Sequence, residues 1–124
     1  MKHGRVAIVV AIIVMVGVTS FGLKAYRCSQ RHAAFAKQVE SIKQGAHEHL
    51  RVGTKNAEVV RFFTERSIPL IIQGEYAYGS IRTPGCAPFG CVSDSAFISV
   101  RVKLDEAGAV TEEPIVGAIY TDCL

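Results

Sequence analysis

The sequence predicts an α+β protein in which an N-terminal transmembrane helix precedes two helices packed on a three- to four-stranded antiparallel sheet. Three observations predict this order: one long apolar run near the N-terminus, two segments with apolar residues at helical spacing, and a later segment in which apolar and polar residues alternate. The length of 124 residues allows one small domain beside the apolar run and excludes a large multidomain enzyme.

Charge is divided unevenly along the chain. Residues 1–37 carry six basic and no acidic side chains, whereas residues 38–124 carry eight basic and eleven acidic ones. The net charge of +3 therefore belongs to the N-terminal part, and the rest of the chain is mildly acidic. This balance does not indicate nucleic-acid binding, and we expect no nucleic-acid partner.

The apolar run covers residues 6–23 and follows a short basic tail over residues 1–5. Fourteen of its 18 residues are apolar and none is charged. As a helix it spans about 27 Å, close to the hydrocarbon core of a bilayer at about 30 Å. We predict an uncleaved membrane anchor, with a cleaved secretory signal peptide and a buried core helix as the alternatives.

Basic side chains follow the apolar run. Lys24, Arg27 and Arg31 are predicted to contact anionic lipid headgroups. The positive-inside rule compares the number of Lys and Arg residues on the two sides of a span. More of them follow the run than precede it, which favours a cytoplasmic location for the C-terminal part. Cysteine usage favours the opposite side.

Cys86 and Cys91 lie in a short segment, residues 83–91, that contains two prolines and two glycines. A compact turn of this kind favours a disulfide between them, with a metal site or two free thiols as alternatives. Cys28 and Cys123 are then left to pair with each other or with another chain. We therefore predict a protein of the bacterial inner membrane with residues 24–124 on the periplasmic side.

Two helices are expected between the anchor and the strands. Residues 24–50 form a juxtamembrane helix, because apolar residues recur every three or four positions. This stripe comprises Phe35, Val39, Ile42, Ala46 and Leu50. The second helix opens the domain of residues 51–124; Thr54 is its predicted N-cap, and Pro69 marks its end.

Strand signals fill the remainder of the domain, at residues 70–72, 76–81, 96–104 and 110–120. The clearest is 96–104, where apolar side chains alternate with Ser99, Arg101 and Lys103. Residues 105–108 have the composition of a hairpin turn. Pro114 cannot donate to a strand ladder and is expected at an edge or a bulge.

Two pieces of the domain resemble a known family. Residues 53–59, Gly-Thr-Lys-Asn-Ala-Glu-Val, precede a helix, and residues 102–110, Val-Lys-Leu-Asp-Glu-Ala-Gly-Ala-Val, form a hairpin-like pattern. Over about residues 50–120 the chain is similar to the SmpA/OmlA (BamE-like) group of small bacterial envelope domains. It departs from that group in lacking a lipid-accepting cysteine and a Leu-Gly-x-Pro after the helix. The resemblance implies an α+β domain facing the cell envelope.

No residue pattern indicates catalysis, a phosphate loop or a cofactor site. His47 and His49 lie two apart on a helix and are predicted to be solvated rather than metal ligands. We therefore predict a single-pass membrane-anchored envelope protein, an accessory or protein-interaction module, that is not an enzyme. The alternatives are a thiol/disulfide-active enzyme using Cys86 and Cys91, and a secreted domain with a cleaved signal peptide.

Overall fold

The computed structural model describes residues 2–85 and 95–120, with the side chains of residues 4–85 and 95–119. Its elements are α1 Lys2–His49, α2 Asn56–Glu65, β1 Ile71–Gln73, β2 Tyr76–Pro84, β3 Ser95–Lys103 and β4 Ile115–Tyr120. The four strands form one antiparallel sheet in the order β1-β2-β3-β4. The predicted α+β class, with a long apolar N-terminal helix, a second helix and an antiparallel sheet, is confirmed.

Helix α1 is continuous over 48 residues, about 72 Å at the usual rise per residue. It joins the apolar run and the juxtamembrane segment in one helix, since no proline interrupts it. Its apolar part makes no packing contact with the domain: none of the most apolar 18-residue window is buried in the structure. This excludes the core-helix alternative for that run. A membrane span and a signal sequence both fit it.

The C-terminal part of α1 packs on the sheet through its predicted stripe. Phe35, Ile42, Ala46 and Leu50 are buried, and Val39 packs against them. Gly45 has a packing role here, because a Cβ at this position would lie 2.7 Å from the guanidinium of Arg66. The guanidinium is the end of a flexible side chain, so a Cβ at residue 45 would displace Arg66 from α1 rather than meet a fixed obstacle.

Helix α2 begins later than the sequence pattern predicts. The N-cap position is Lys55, which makes no side-chain capping hydrogen bond. The predicted cap at Thr54 is wrong, because the Thr54 hydroxyl instead donates to the carbonyl oxygen of His49 at 3.3 Å. This bond ties the connection to the end of α1. Val59, Phe62 and Phe63 form the buried face of α2.

The sheet buries one face against both helices. On β3 the alternation predicted from the sequence is confirmed, with Ile98, Val100 and Val102 buried. The last predicted strand is shorter than expected: Val110 makes an isolated bridge with Leu104, and β4 starts only after Pro114. Because a proline has no N–H to donate, it lies just before the edge strand rather than within it.

The strands run alongside the C-terminal part of α1, because hydrogen bonds connect the sheet to this part of the chain at both ends of the sheet. At one end of the sheet, the Thr83 hydroxyl donates to Oε1 of Gln38 at 2.9 Å. At the other end, the N–H of Gly53, just beyond α1, donates to the carbonyl oxygen of Val110 at 2.7 Å. The Thr83 end is therefore the proximal end, nearer the apolar run. The end with the two hairpin turns is the distal end.

Candidate functional site

The face of the sheet turned away from the helices is open. The strand register places its side chains in rows across β2, β3 and β4. One row consists of Ser80, Ser99 and Gly117, the smallest side chains on this face. Because strand neighbours lie about 4.8 Å apart, this row is about 10 Å long.

Larger side chains stand on both sides of the small row. The distal row consists of Tyr78, Arg101 and Ile115, and the proximal row of Arg82, Phe97 and Ile119. The two rows are four residues apart along each strand, about 13 Å. The small row and its two neighbours form a concave surface, which we call the sheet groove.

The sheet groove has a volume of about 760 Å³, and Tyr76 extends it toward the distal end. Its apolar side chains are largely solvent-exposed: Ile115 is 56% and Ile119 58% exposed. Phe97, in the proximal row, is half-buried. A contiguous apolar face with this exposure is typical of an interaction site.

The positive charges at the groove have no carboxylate partner in the described part of the chain. The guanidinium of Arg101 lies 5.4 Å from the ring centre of Tyr76, a cation–π distance. Arg82 stands at the proximal rim, where its Nη2 donates to the hydroxyl of Ser95 at 2.6 Å. Neither arginine takes part in the ion pairs of the described residues.

The distal end of the sheet is acidic: a hollow there is lined by one lysine, Lys103, and by four carboxylates, Glu75, Asp105, Glu106 and Glu112. Nζ of Lys103 donates to Oε1 of Glu112 at 2.7 Å, and this hydrogen bond raises the pKa of Lys103 above its usual range. The adjoining turn is held by Asp105, whose Oδ1 accepts from the N–H groups of Ala107 and Ala109. The unpaired positive charge of the outer face therefore belongs to the groove.

A second, smaller hollow lies between α1 and the sheet edge. It has a volume of about 410 Å³ and is lined by Lys37, Gln38, Arg66 and Ile81, among others. Arg66 is engaged, because its guanidinium lies 4.0 Å over the ring of Phe62. This hollow is more open and carries less apolar surface than the sheet groove. The groove is therefore the better candidate for binding.

Two sets of residues are predicted to act outside the groove. The predicted lipid contacts lie on α1, and the predicted disulfide lies outside the described residues. Lys24, Arg27 and Arg31 are exposed on α1, and Lys24 and Arg31 are each engaged in an interaction. Their contact with headgroups stays a prediction. Cys86 and Cys91 lie outside the described residues, so the predicted bond between them is not tested.

Cys28 is half-buried on α1 and is disulfide-bonded. It is the only cysteine among residues 2–85 and 95–120, so its partner lies outside them. The remaining cysteines are Cys86, Cys91 and Cys123.

His47 and His49 are exposed at the end of α1. Among the described residues no three histidine, cysteine, aspartate or glutamate side chains are grouped so as to hold a metal ion. The sequence pattern predicts that Arg101 lies on the polar face of its strand. It does not predict the groove, because the groove floor is made of residues on three strands whose register the sequence alone does not reveal.

Comparison of the chain with protein-family models, curated proteins and solved structures finds no match. The resemblance to the SmpA/OmlA group therefore stays a prediction.

Proposed function

We propose that this chain is a single-pass membrane-anchored protein of the bacterial envelope, which holds a small protein-interaction domain outside the cytoplasm. The observation that carries the proposal is an apolar run, exposed along its whole length, that continues as one helix into a folded domain. In water this run would leave a large apolar surface hydrated, and a bilayer removes that cost.

The polar side chains of the run suit a lipid environment. Thr19 and Ser20 are the only residues with polar side chains between Val6 and Leu23. The Thr19 hydroxyl donates to the carbonyl oxygen of Met15, and the Ser20 hydroxyl to that of Val16, both at 2.7 Å. Since both hydroxyls are already bonded within the helix, insertion does not leave them unsatisfied.

The disulfide at Cys28 supports the location of the domain. Disulfides persist in oxidising compartments such as the bacterial periplasm and are rare in the cytosol. Cys28 follows Leu23 by five residues, about 7.5 Å along the helix, so the bond would lie just beyond the membrane edge. The periplasmic side of the inner membrane is the compartment that fits both the anchor and the bond.

Membrane fractionation combined with intact-mass measurement tests the anchor. We expect the full chain, with Met1 or Lys2 at its N-terminus, in the membrane pellet after alkaline extraction. Val9→Arg with Ile13→Arg should release it, because each arginine at the centre of a span costs about 2.5–3.5 kcal/mol on insertion scales. The matched control, Val9→Leu with Ile13→Leu, should remain in the pellet. A soluble protein that lacks residues 1–23 contradicts the anchor and establishes the cleaved-signal alternative.

A further inference from the structure

We infer that the sheet groove binds a segment of a partner protein that carries apolar side chains and at least one carboxylate, which pairs with Arg101. This inference rests on the proposed function, because the choice of a protein as occupant depends on the distance of the groove from the membrane.

The shape of the groove matches one polypeptide segment. Its floor, Ser80, Ser99 and Gly117, has side chains of two heavy atoms or fewer, so a bound chain can approach the backbone of the sheet closely. The rows on either side are about 13 Å apart, which leaves room for a single peptide segment between them. Phe97 and Ile115 supply apolar contact from opposite sides.

The positive charge of the groove predicts a partner segment that is negatively charged. Arg101 lines the groove and Arg82 stands at its rim, while no carboxylate lines the groove in the described part of the chain. A guanidinium pairs with a carboxylate through two parallel hydrogen bonds, so it provides orientation as well as affinity. The cation–π contact with Tyr76 leaves the N–H groups at the edge of the Arg101 guanidinium available.

The same charges argue against a second copy of the chain as the occupant. Two outer faces packed together would bring Arg82 and Arg101 of both copies into one interface. The groove offers them no carboxylate in return among the described residues. Juxtaposed like charges are a penalty against such a pairing. A carboxylate on a partner segment supplies the complement that the groove lining itself lacks.

Distance from the bilayer argues against a lipid as the occupant. Gln38 lies 15 residues beyond Leu23, about 22 Å along α1. Thr83 contacts Gln38, and Ser80 is three residues further toward the distal end, about 10 Å more. With α1 upright, the groove therefore stands about 30 Å above the hydrocarbon edge. The headgroup layer of each leaflet is only about 5–8 Å thick, so lipids in the membrane do not reach the groove.

Peptide selection against the full chain tests this inference. The protein is held in phosphatidylcholine nanodiscs and exposed to a displayed library of random short peptides. We expect the selected peptides to combine apolar residues with Asp or Glu. Their affinity should fall about tenfold or more for Arg101→Glu, since a lost charge-assisted hydrogen bond costs about 1.5–3 kcal/mol.

Two further variants separate the groove from a general charge effect. Ser80→Trp fills the floor and should weaken the same peptides, although it leaves every charge in place. Arg51→Glu reverses an exposed arginine outside the sheet and should leave binding unchanged. Circular dichroism melting of each variant establishes that the domain is folded.

Three results overturn the inference. The first is the absence of peptides that prefer the wild-type protein over Ser80→Trp. The second is selection of basic peptides or of peptides indifferent to Arg101→Glu. The third is binding of phosphatidylglycerol vesicles that both groove variants abolish, which assigns the groove to lipid. Failure of the proposed membrane anchor is distinguishable from failure of the groove inference. The first appears as loss of wild-type protein from the membrane pellet, whereas Arg101→Glu leaves membrane retention intact.

Discussion

The connection between α2 and the sheet leaves no room for a side chain at Gly79, and the substitution Gly79→Ala tests this packing. A Cβ at this position would overlap the carbonyl oxygen of Pro69, and it would lie 2.8 Å from Cγ2 of Ile68 and 3.1 Å from Cε1 of Phe63. The obstacle is partly backbone, so no rotamer change removes it. Relief requires the segment before β1 to move away from β2.

Overpacking of a filled core costs about 1–3 kcal/mol and occasionally more. Because Gly79 meets a main-chain oxygen and two buried side chains together, we expect the upper end of this range, about 3 kcal/mol. For a domain of this size each kcal/mol lowers Tm by about 4–8 °C, so Gly79→Ala should lower Tm by about 12–24 °C.

Urea unfolding of the full chain in detergent micelles measures this loss, followed by tyrosine fluorescence because the chain has no tryptophan. The matched control is Gly117→Ala on β4, where a Cβ meets only the Ser99 hydroxyl at 3.0 Å. A hydroxyl can rotate away, so the control should change stability by less than about 0.5 kcal/mol. Equal stability of Gly79→Ala and the control would refute the tight approach of Pro69 to β2.

Three further changes give separate tests. Phe63→Ala removes a fully buried ring and should cost about 3–5 kcal/mol in urea unfolding, whereas Val60→Ala on the same helix, 40% exposed, should cost less than about 1 kcal/mol; equal losses contradict the assigned faces of α2. Lys103 has its pKa raised above 10.5 by Glu112, so the pair stabilises the fold fully below that pH and loses its effect as pH rises through the higher folded value. Glu112→Gln should flatten this alkaline decline in Tm, and an unchanged decline counts against the pair. Cys28→Ser should add one reactive thiol per chain and lower stability by about 3–5 kcal/mol on the chain-entropy model, and an unchanged thiol count would contradict the disulfide.

The sequence predicts elements well where a local pattern decides them. The stripe from Phe35 to Leu50 and the alternation on β3 follow from helical and strand periods, and both are confirmed. The cap at Thr54 fails because another local hydrogen bond competes: its hydroxyl reaches back five residues to the end of α1 instead of bonding the first turn of α2. A preference of about 1 kcal/mol for a capping side chain is small enough for such a contact to override.

The candidate site could not be predicted from local sequence patterns. Ser80, Ser99 and Gly117 are unremarkable in the sequence, since each is a small residue on a different strand. Only the register of β2 with β3 and of β3 with β4 brings them into one row. Register depends on turns and on the buried face together, so it is a property of the whole sheet. The charge of Arg101 is visible in the sequence, but the surface around it is not.

Protease digestion of spheroplasts expressing the full chain tests the central claim, that residues 6–23 anchor a domain held outside the cytoplasm. With a tag on the C-terminus, we predict that protease added outside removes the tag. The membrane pellet should retain a fragment that begins at Met1 or Lys2 and contains the apolar run. A tag that stays protected until the membrane is permeabilised would place the domain in the cytoplasm and contradict the claim.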